Sequence, residues 1–246
     1  DIVRFADTVD VELVKPLLDN QIRCNSAIAE EGLRGDWGAN VGRVLLSEFG
    51  SDIKNEARAY AAAASDARMS GCELPVVIVT GSGNQGITAS VPVIRYAKHI
   101  GASDERLYRA LLVSDLVTIH QKTGIGRLSA YCGAVSAGCG AGAGIAYLLG
   151  GDYRAIAHTI VNAVDILSGT ICDGAKPSCA AKIASAVEAG ILGYYMYVND
   201  QQFRGGDGIV AKGVENTIRN VGLLASQGMK QTDRVILNIM TGDQCL

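Results

Sequence analysis

Four cysteines in the second half of the chain, Cys132, Cys139, Cys172 and Cys179, have the residue type and spacing to do chemistry. Cys132 and Cys139 are seven residues apart. On a helix that puts them on one face but about 10.5 Å apart along the axis, an awkward fit for one metal site. Cys172 and Cys179 are also seven apart, but Gly174 and Pro177 lie between them, so the connecting loop can fold back on itself. Pro177 suits the first turn of a following helix, and Cys179 falls in the same turn, where free N–H groups and the helix dipole favour a thiolate. A loop cysteine, a helix-start cysteine and a third from the middle of the chain can form a three-thiolate pocket. Zinc sites usually carry CxxC pairs and a fourth ligand, a pattern this sequence lacks. A cubane iron–sulfur cluster held by three thiolates leaves one iron open to substrate. Ordinary buried thiols are the other reading of the same spacing.

A second group is GSGNQG at 81–86. A glycine-rich turn before a helix offers unpaired N–H groups and a positive dipole end, which suits an anion. The spacing is G-x-G-x-x-G, but a dinucleotide fold needs repeated strand–helix–strand units, and the sequence offers one plausible strand, 76–79. A ligand-free tight loop fits the motif equally well. A third group, His120, Lys122 and Arg127, crowds the segment IHQKTGIGR just before Cys132.

These residues need a scaffold, and the sequence predicts a mainly α one: a buried Gly/Ala-rich central helix ringed by other helices, with room for a short extended segment near 75–80. Residues 128–150 carry no charge, and glycine recurs at 133, 138, 140, 142 and 144. Such a helix is bare on one side, so neighbours can approach closely. A membrane span competes for this stretch, but glycine and serine give it weak insertion energy. Asp10 is expected to cap a first helix that Pro16 bends or restarts, followed by a second over 20–33. Further helices are expected over 41–49 and 51–69, from 87 onward, from Ser103 to 119, from Asp152 to 167, after Pro177, over 214–224 and from Thr232.

Composition narrows the function. The chain has 246 residues, 19% of them charged, and a net charge of −3. Nothing in that balance suggests nucleic acid or a membrane surface. The odd count of seven cysteines does not look like a secreted disulfide framework, so a cytoplasmic protein is expected.

The segments HQKTGIGRLSAYCGAVSAG, ICDGAKPSCAAKIASA and VTGSGNQGI closely resemble the iron–sulfur-dependent L-serine dehydratase alpha-chain family, nearest its L-cysteine desulfidase branch. The resemblance covers at least 79–189. It implies a 4Fe–4S cluster on Cys132, Cys172 and Cys179, no pyridoxal phosphate, and α,β-elimination of L-cysteine or, alternatively, L-serine. Ser82, Gly83, Asn84, Gln85 and Gly86 then become candidates for the substrate carboxylate. His120, Lys122 and Lys176 become candidates for carboxylate binding or proton handling. Family members also carry an upstream Gly-Cys-Thr-Glu-Pro-like stretch. This chain has none, and Cys24 in RCNSA is no match. The expectation is therefore one helical domain over 1–246, the C-terminal part of a longer protein, working with that protein's missing N-terminal region and open to homo-oligomerisation. Two rivals stand beside this reading: a non-catalytic helical module with empty cysteines, and a phosphate or nucleotide binder using GSGNQG.

Overall fold

The computed structural model describes residues 1–126 and 129–242. Arg127, Leu128 and Cys245 lie outside them. The described residues form helices with no named strand: α1 Ile2–Thr8, α2 Val11–Arg34, α3 Val41–Phe49, α4 Ile53–Met69, α5 Gly83–Ile100, α6 Asp104–Ile125, α7 Gly133–Leu148, α8 Tyr153–Leu167, α9 Cys179–Val198, α10 Val214–Leu223, a π-helical turn Leu224–Gly228, and α11 Lys230–Thr241. No described helix is long and apolar enough to cross a membrane.

α7 is the axis of the bundle, with α5, α6, α8 and α9 packed around it. All of its residues from Ala134 to Ala146 are buried. Glycine makes this possible. A Cβ on Gly142 would come within 2.6 Å of the Gly190 carbonyl oxygen, and one on Gly140 within 2.5 Å of the Ser114 carbonyl. The neighbouring helices therefore meet α7 backbone to backbone. α4 is a second alanine-rich element, and its run from Ala61 to Ala67 is entirely buried.

Side-chain capping sets several helix starts. Asp10 accepts from the Glu12 N–H at 3.1 Å, Ser103 from Arg106 at 3.3 Å and Asp152 from Ala155 at 2.9 Å, each satisfying an otherwise unpaired donor. Several expectations need correction. Pro16 neither ends nor restarts a helix, since α2 runs through it without a break. α1 was not expected. α6 continues past Ile119 to Ile125, so His120 and Lys122 sit on a helix rather than in a loop.

Residues 76–79 form no named strand, and their one bridge, Val79 with Ser82, is isolated. Val77 donates its N–H to Asn25 Oδ1 at 2.9 Å and accepts from Asn25 Nδ2 at 3.3 Å. One buried asparagine amide therefore replaces the ladder a sheet would provide.

Asp115 on α6 accepts from Gln21 Nε2 at 3.2 Å, while Gln21 Oε1 is buried without a partner. Burial pushes the Asp115 carboxyl up to about 7, against the pull of the Gln21 hydrogen bond. A protonated carboxyl carries the O–H that Oε1 lacks. In the unfolded chain this group titrates near 4, so between about pH 4 and 7 the folded state holds the extra proton. Stability then falls as pH rises through that window. Asp115→Asn is expected to flatten this slope in thermal melts taken across the window. An unchanged slope would count against the assignment.

Candidate functional site

The site is built where the first turns of α5, α7 and α9 face the loop between α8 and α9. Cys132 occupies the N-cap position of α7 and Cys179 opens α9. Cys172 lies in the loop between α8 and α9, held by a two-bond ladder. The Cys132 N–H donates to the Thr170 carbonyl at 3.1 Å, and the Cys172 N–H to the Ala130 carbonyl at 2.6 Å. Residues Tyr131 and Ile171 form the antiparallel bridge between these bonds. Three cysteines distant in sequence are thus electrostatic neighbours: burial raises the Cys132 thiol, the Ala134 N–H lowers it, and Cys172 and Cys179 raise it further. Cys139, a turn and more inside α7, is fully buried and directs its thiol at the Ile160 carbonyl.

Two ammonium groups attend the thiols. Lys122, on the last turn of α6, is only 7% exposed and has no hydrogen-bond or ion-pair partner among the described residues. Burial pushes it below its ordinary range, while Cys172 and Cys132 act the other way. Lys182, one turn into α9 from Cys179, pairs with Asp173 and donates to the Ile171 carbonyl at 3.2 Å. Burial opposes its charge, but Asp173 and the thiols of Cys132 and Cys179 hold it above the usual lysine range.

The glycine-rich turn has a separate reason for each glycine. Gly81 takes a φ of +96°, a region open to glycine. A Cβ on Gly83 would collide with the Arg68 guanidinium, and one on Gly86 with the Val77 carbonyl. α5 begins at Gly83, so Asn84, Gln85 and Gly86 are its first turn rather than a loop ahead of it, and Ser82 is the N-cap. Gln85 is 8% exposed. It accepts through Oε1 from Thr80, and its amide lies so close to Gly133 that a Cβ there would strike it. This contact joins the glycine turn to the residue following Cys132.

The other candidates stand elsewhere. His120 is on the exposed side of α6, its Nε2 2.7 Å from Glu215 Oε2 on α10. Lys176 is exposed in the loop before α9. Arg68 and Lys182 went unnoticed in the sequence. Lys182 had a signal, its place three residues after Cys179. Arg68 had none, because the fold alone carries the end of α4 to the start of α5.

Among the described residues no three His, Cys, Asp or Glu side chains close to the spacing of a single-ion site. A cube with iron at its corners holds its thiolates farther apart than one ion does. The groups that could hold such an anionic group are the three thiols, two of them at helix N-termini, and the Lys122 ammonium, which has no partner among the described residues.

The family model described as serine dehydratase alpha chain matches residues 2–238. The chain is similar to curated UPF0597 proteins. It is 67% identical over 244 residues to one from Desulfitobacterium hafniense, covering 99% of this chain and 56% of that protein. It is 54% identical to one from Lachnoclostridium phytofermentans, covering 97% and 57%, and 41% identical to one from Bacteroides fragilis, covering 98% and 57%. The chain thus spans a little over half the length of these relatives. No solved structure matches it significantly.

Proposed function

Because the chain belongs to the serine dehydratase alpha chain family, we propose that it carries the cluster-binding part of a lyase that removes sulfide and ammonia from L-cysteine. The observation that carries this reading is Lys122, a buried ammonium with no partner among the described residues, which lies within electrostatic reach of Cys172 and Cys132. A buried cation is stable only beside negative charge. Thiolates at Cys132, Cys172 and Cys179 holding a 4Fe–4S cluster supply it.

When bound, the cluster supplies a Lewis-acidic iron at the leaving sulfur or oxygen. The rest falls to the protein. The first turn of α5, from Ser82 through Gly86, presents N–H groups and the positive dipole end to the substrate carboxylate. Lys122 Nζ holds a proton beside the thiols. Packing of α5, α6, α7 and α9 keeps bulk water from the reacting carbons. Loss of the α-proton and departure of hydrosulfide leave an aminoacrylate. Its tautomer, an imine, takes up water and yields pyruvate and ammonia. L-serine is the second candidate substrate, on the strength of the family's description; there water leaves instead of hydrosulfide.

The test is anaerobic reconstitution of the full-length protein with iron and sulfide, followed by assay of pyruvate from each amino acid. Pyruvate from L-cysteine with equimolar sulfide is expected. Production from neither substrate would overturn the reading. Asn84, whose Oδ1 accepts from Arg68 at 3.2 Å, supports the carboxylate end. Asn84→Ala is expected to raise KM about tenfold, the worth of one charge-assisted hydrogen bond, without bleaching the visible absorbance. An unchanged KM would remove Asn84 from the substrate site.

A further inference from the structure

Arg68 stands at the C-terminal end of α4 with its guanidinium laid over the Gly83 backbone, at the start of α5. It is half-buried. Its Nη1 donates to Asn84 Oδ1 at 3.2 Å, and no carboxylate among the described residues pairs with it. The other arginines that reach into the bundle are answered by carboxylates: Arg95 by Glu56, Arg58 by Glu188 and Arg109 by Glu105. Arg68 lies in the last turn of α4, whose C-terminal dipole end favours a cation, but its guanidinium reaches the positive N-terminus of α5 with no carboxylate beside it among the described residues.

A second feature lies on the same first turn of α5. Gln85 is more than nine-tenths buried, and its Nε2 has no acceptor among the described residues. That amide lies between the first turn of α5 and Gly133, next to Cys132. The Nε2 donor is therefore available to an acceptor from outside the chain. Between them, Arg68 and Gln85 offer a planar fork of N–H donors and one further N–H, a set that matches the two oxygens of a carboxylate.

We infer that Arg68 is the substrate-binding residue that grips the α-carboxylate, with Gln85 Nε2 as its partner donor, and so restricts the site to amino acids and other thiol or hydroxyl carboxylates. The inference rests on the proposed elimination reaction, and it places the recognition of carboxylate in a side chain rather than in the helix end alone. Asn84 then orients the guanidinium through its side-chain oxygen.

Two small thiols separate this assignment from the reaction it rests on. 3-Mercaptopropionate carries the thiol and the carboxylate; cysteamine carries the thiol and the ammonium but no carboxylate. Each is titrated anaerobically against the visible absorbance of the reconstituted full-length protein. In the unaltered protein 3-mercaptopropionate is expected to bind more tightly than cysteamine. Arg68→Met is expected to weaken 3-mercaptopropionate at least thirtyfold, on the order of the loss of a bidentate charge-assisted pair, and to leave cysteamine within about twofold. Arg68→Lys keeps the charge and most of the stem, and an intermediate weakening of 3-mercaptopropionate alone is expected from it. If both variants bind the two thiols as the unaltered protein does, or weaken them equally, the Arg68 assignment falls while thiol binding stands. If neither thiol perturbs the spectrum of the unaltered protein, the elimination reading falls and the assignment falls with it.

Discussion

Replacing Cys172 by alanine in the full-length protein is expected to abolish the visible absorbance of the reconstituted cluster and to lower turnover by at least about a hundredfold. Loss of a group that only hydrogen-bonds a metal ligand costs metal sites about 10–100-fold, and loss of a ligand exceeds that. Cys172 is the informative choice of the three. It is half-buried in a loop and is not a helix cap. Its structural anchor is its backbone N–H, which donates to Ala130 and survives the substitution. The stability cost should therefore stay within about 1 kcal/mol. A folded but colourless protein is the expected outcome, checked by absorbance, bound-iron analysis and a thermal melt on the same sample. A Cys172→Ala protein that keeps a full complement of iron would refute the ligand assignment. Cys132 is a weaker test, because it caps α7 and is packed into the core.

The second large effect is structural. Gly142→Ala is expected to destabilise the fold by about 3 kcal/mol, and Gly142→Val by more. The added Cβ would lie 2.6 Å from the Gly190 carbonyl oxygen and 2.7 Å from its Cα. Both atoms are backbone in the middle of α9, so relief requires moving a whole helix. For a chain of this size the alanine change corresponds to a drop in melting temperature of about 6–12 °C. Gly124→Ala is the control. It too is a helical glycine, but its Cβ would sit 3.5 Å from Gly222, an ordinary contact, at an exposed position. There the gain in helix propensity should leave stability unchanged or raised by about 0.5–1 kcal/mol. Equal destabilisation by the two changes would show that close helix approach is not what glycine provides at position 142.

Much of the scaffold was legible because its signals are local. Asp10, Ser103 and Asp152 announce helix starts by residue type alone. The glycine and alanine run announces a helix that others crowd. The loop position of Cys172 and the helix-start position of Cys179 followed from Gly174 and Pro177 between them. Other features depend on distant partners and left no local mark. α6 passes through Gly124 because its final turns pack against α10, whereas a glycine in the sequence reads as a stop. Residues 76–79 have the composition of a strand but receive an asparagine side chain from α2 instead of a neighbour. Lys122 looked like one charge among three in a polar loop, and only tertiary packing separates it, buried, from His120, exposed beside Glu215. Arg68 sits at the end of an alanine-rich packing helix, fifteen residues before the turn it overlies, and nothing in its own segment marks it.

The glycine- and alanine-built axis has one more effect. These residues have no side-chain torsions, so the middle of the bundle has almost no rotamers to exchange. Most protein interiors absorb a disturbance by letting side chains hop to another well. Here the fit is between main chains, which cannot do so without bending a helix. The sulfur at the head of α7 is therefore positioned with the stiffness of backbone rather than the looseness of a packed side-chain layer.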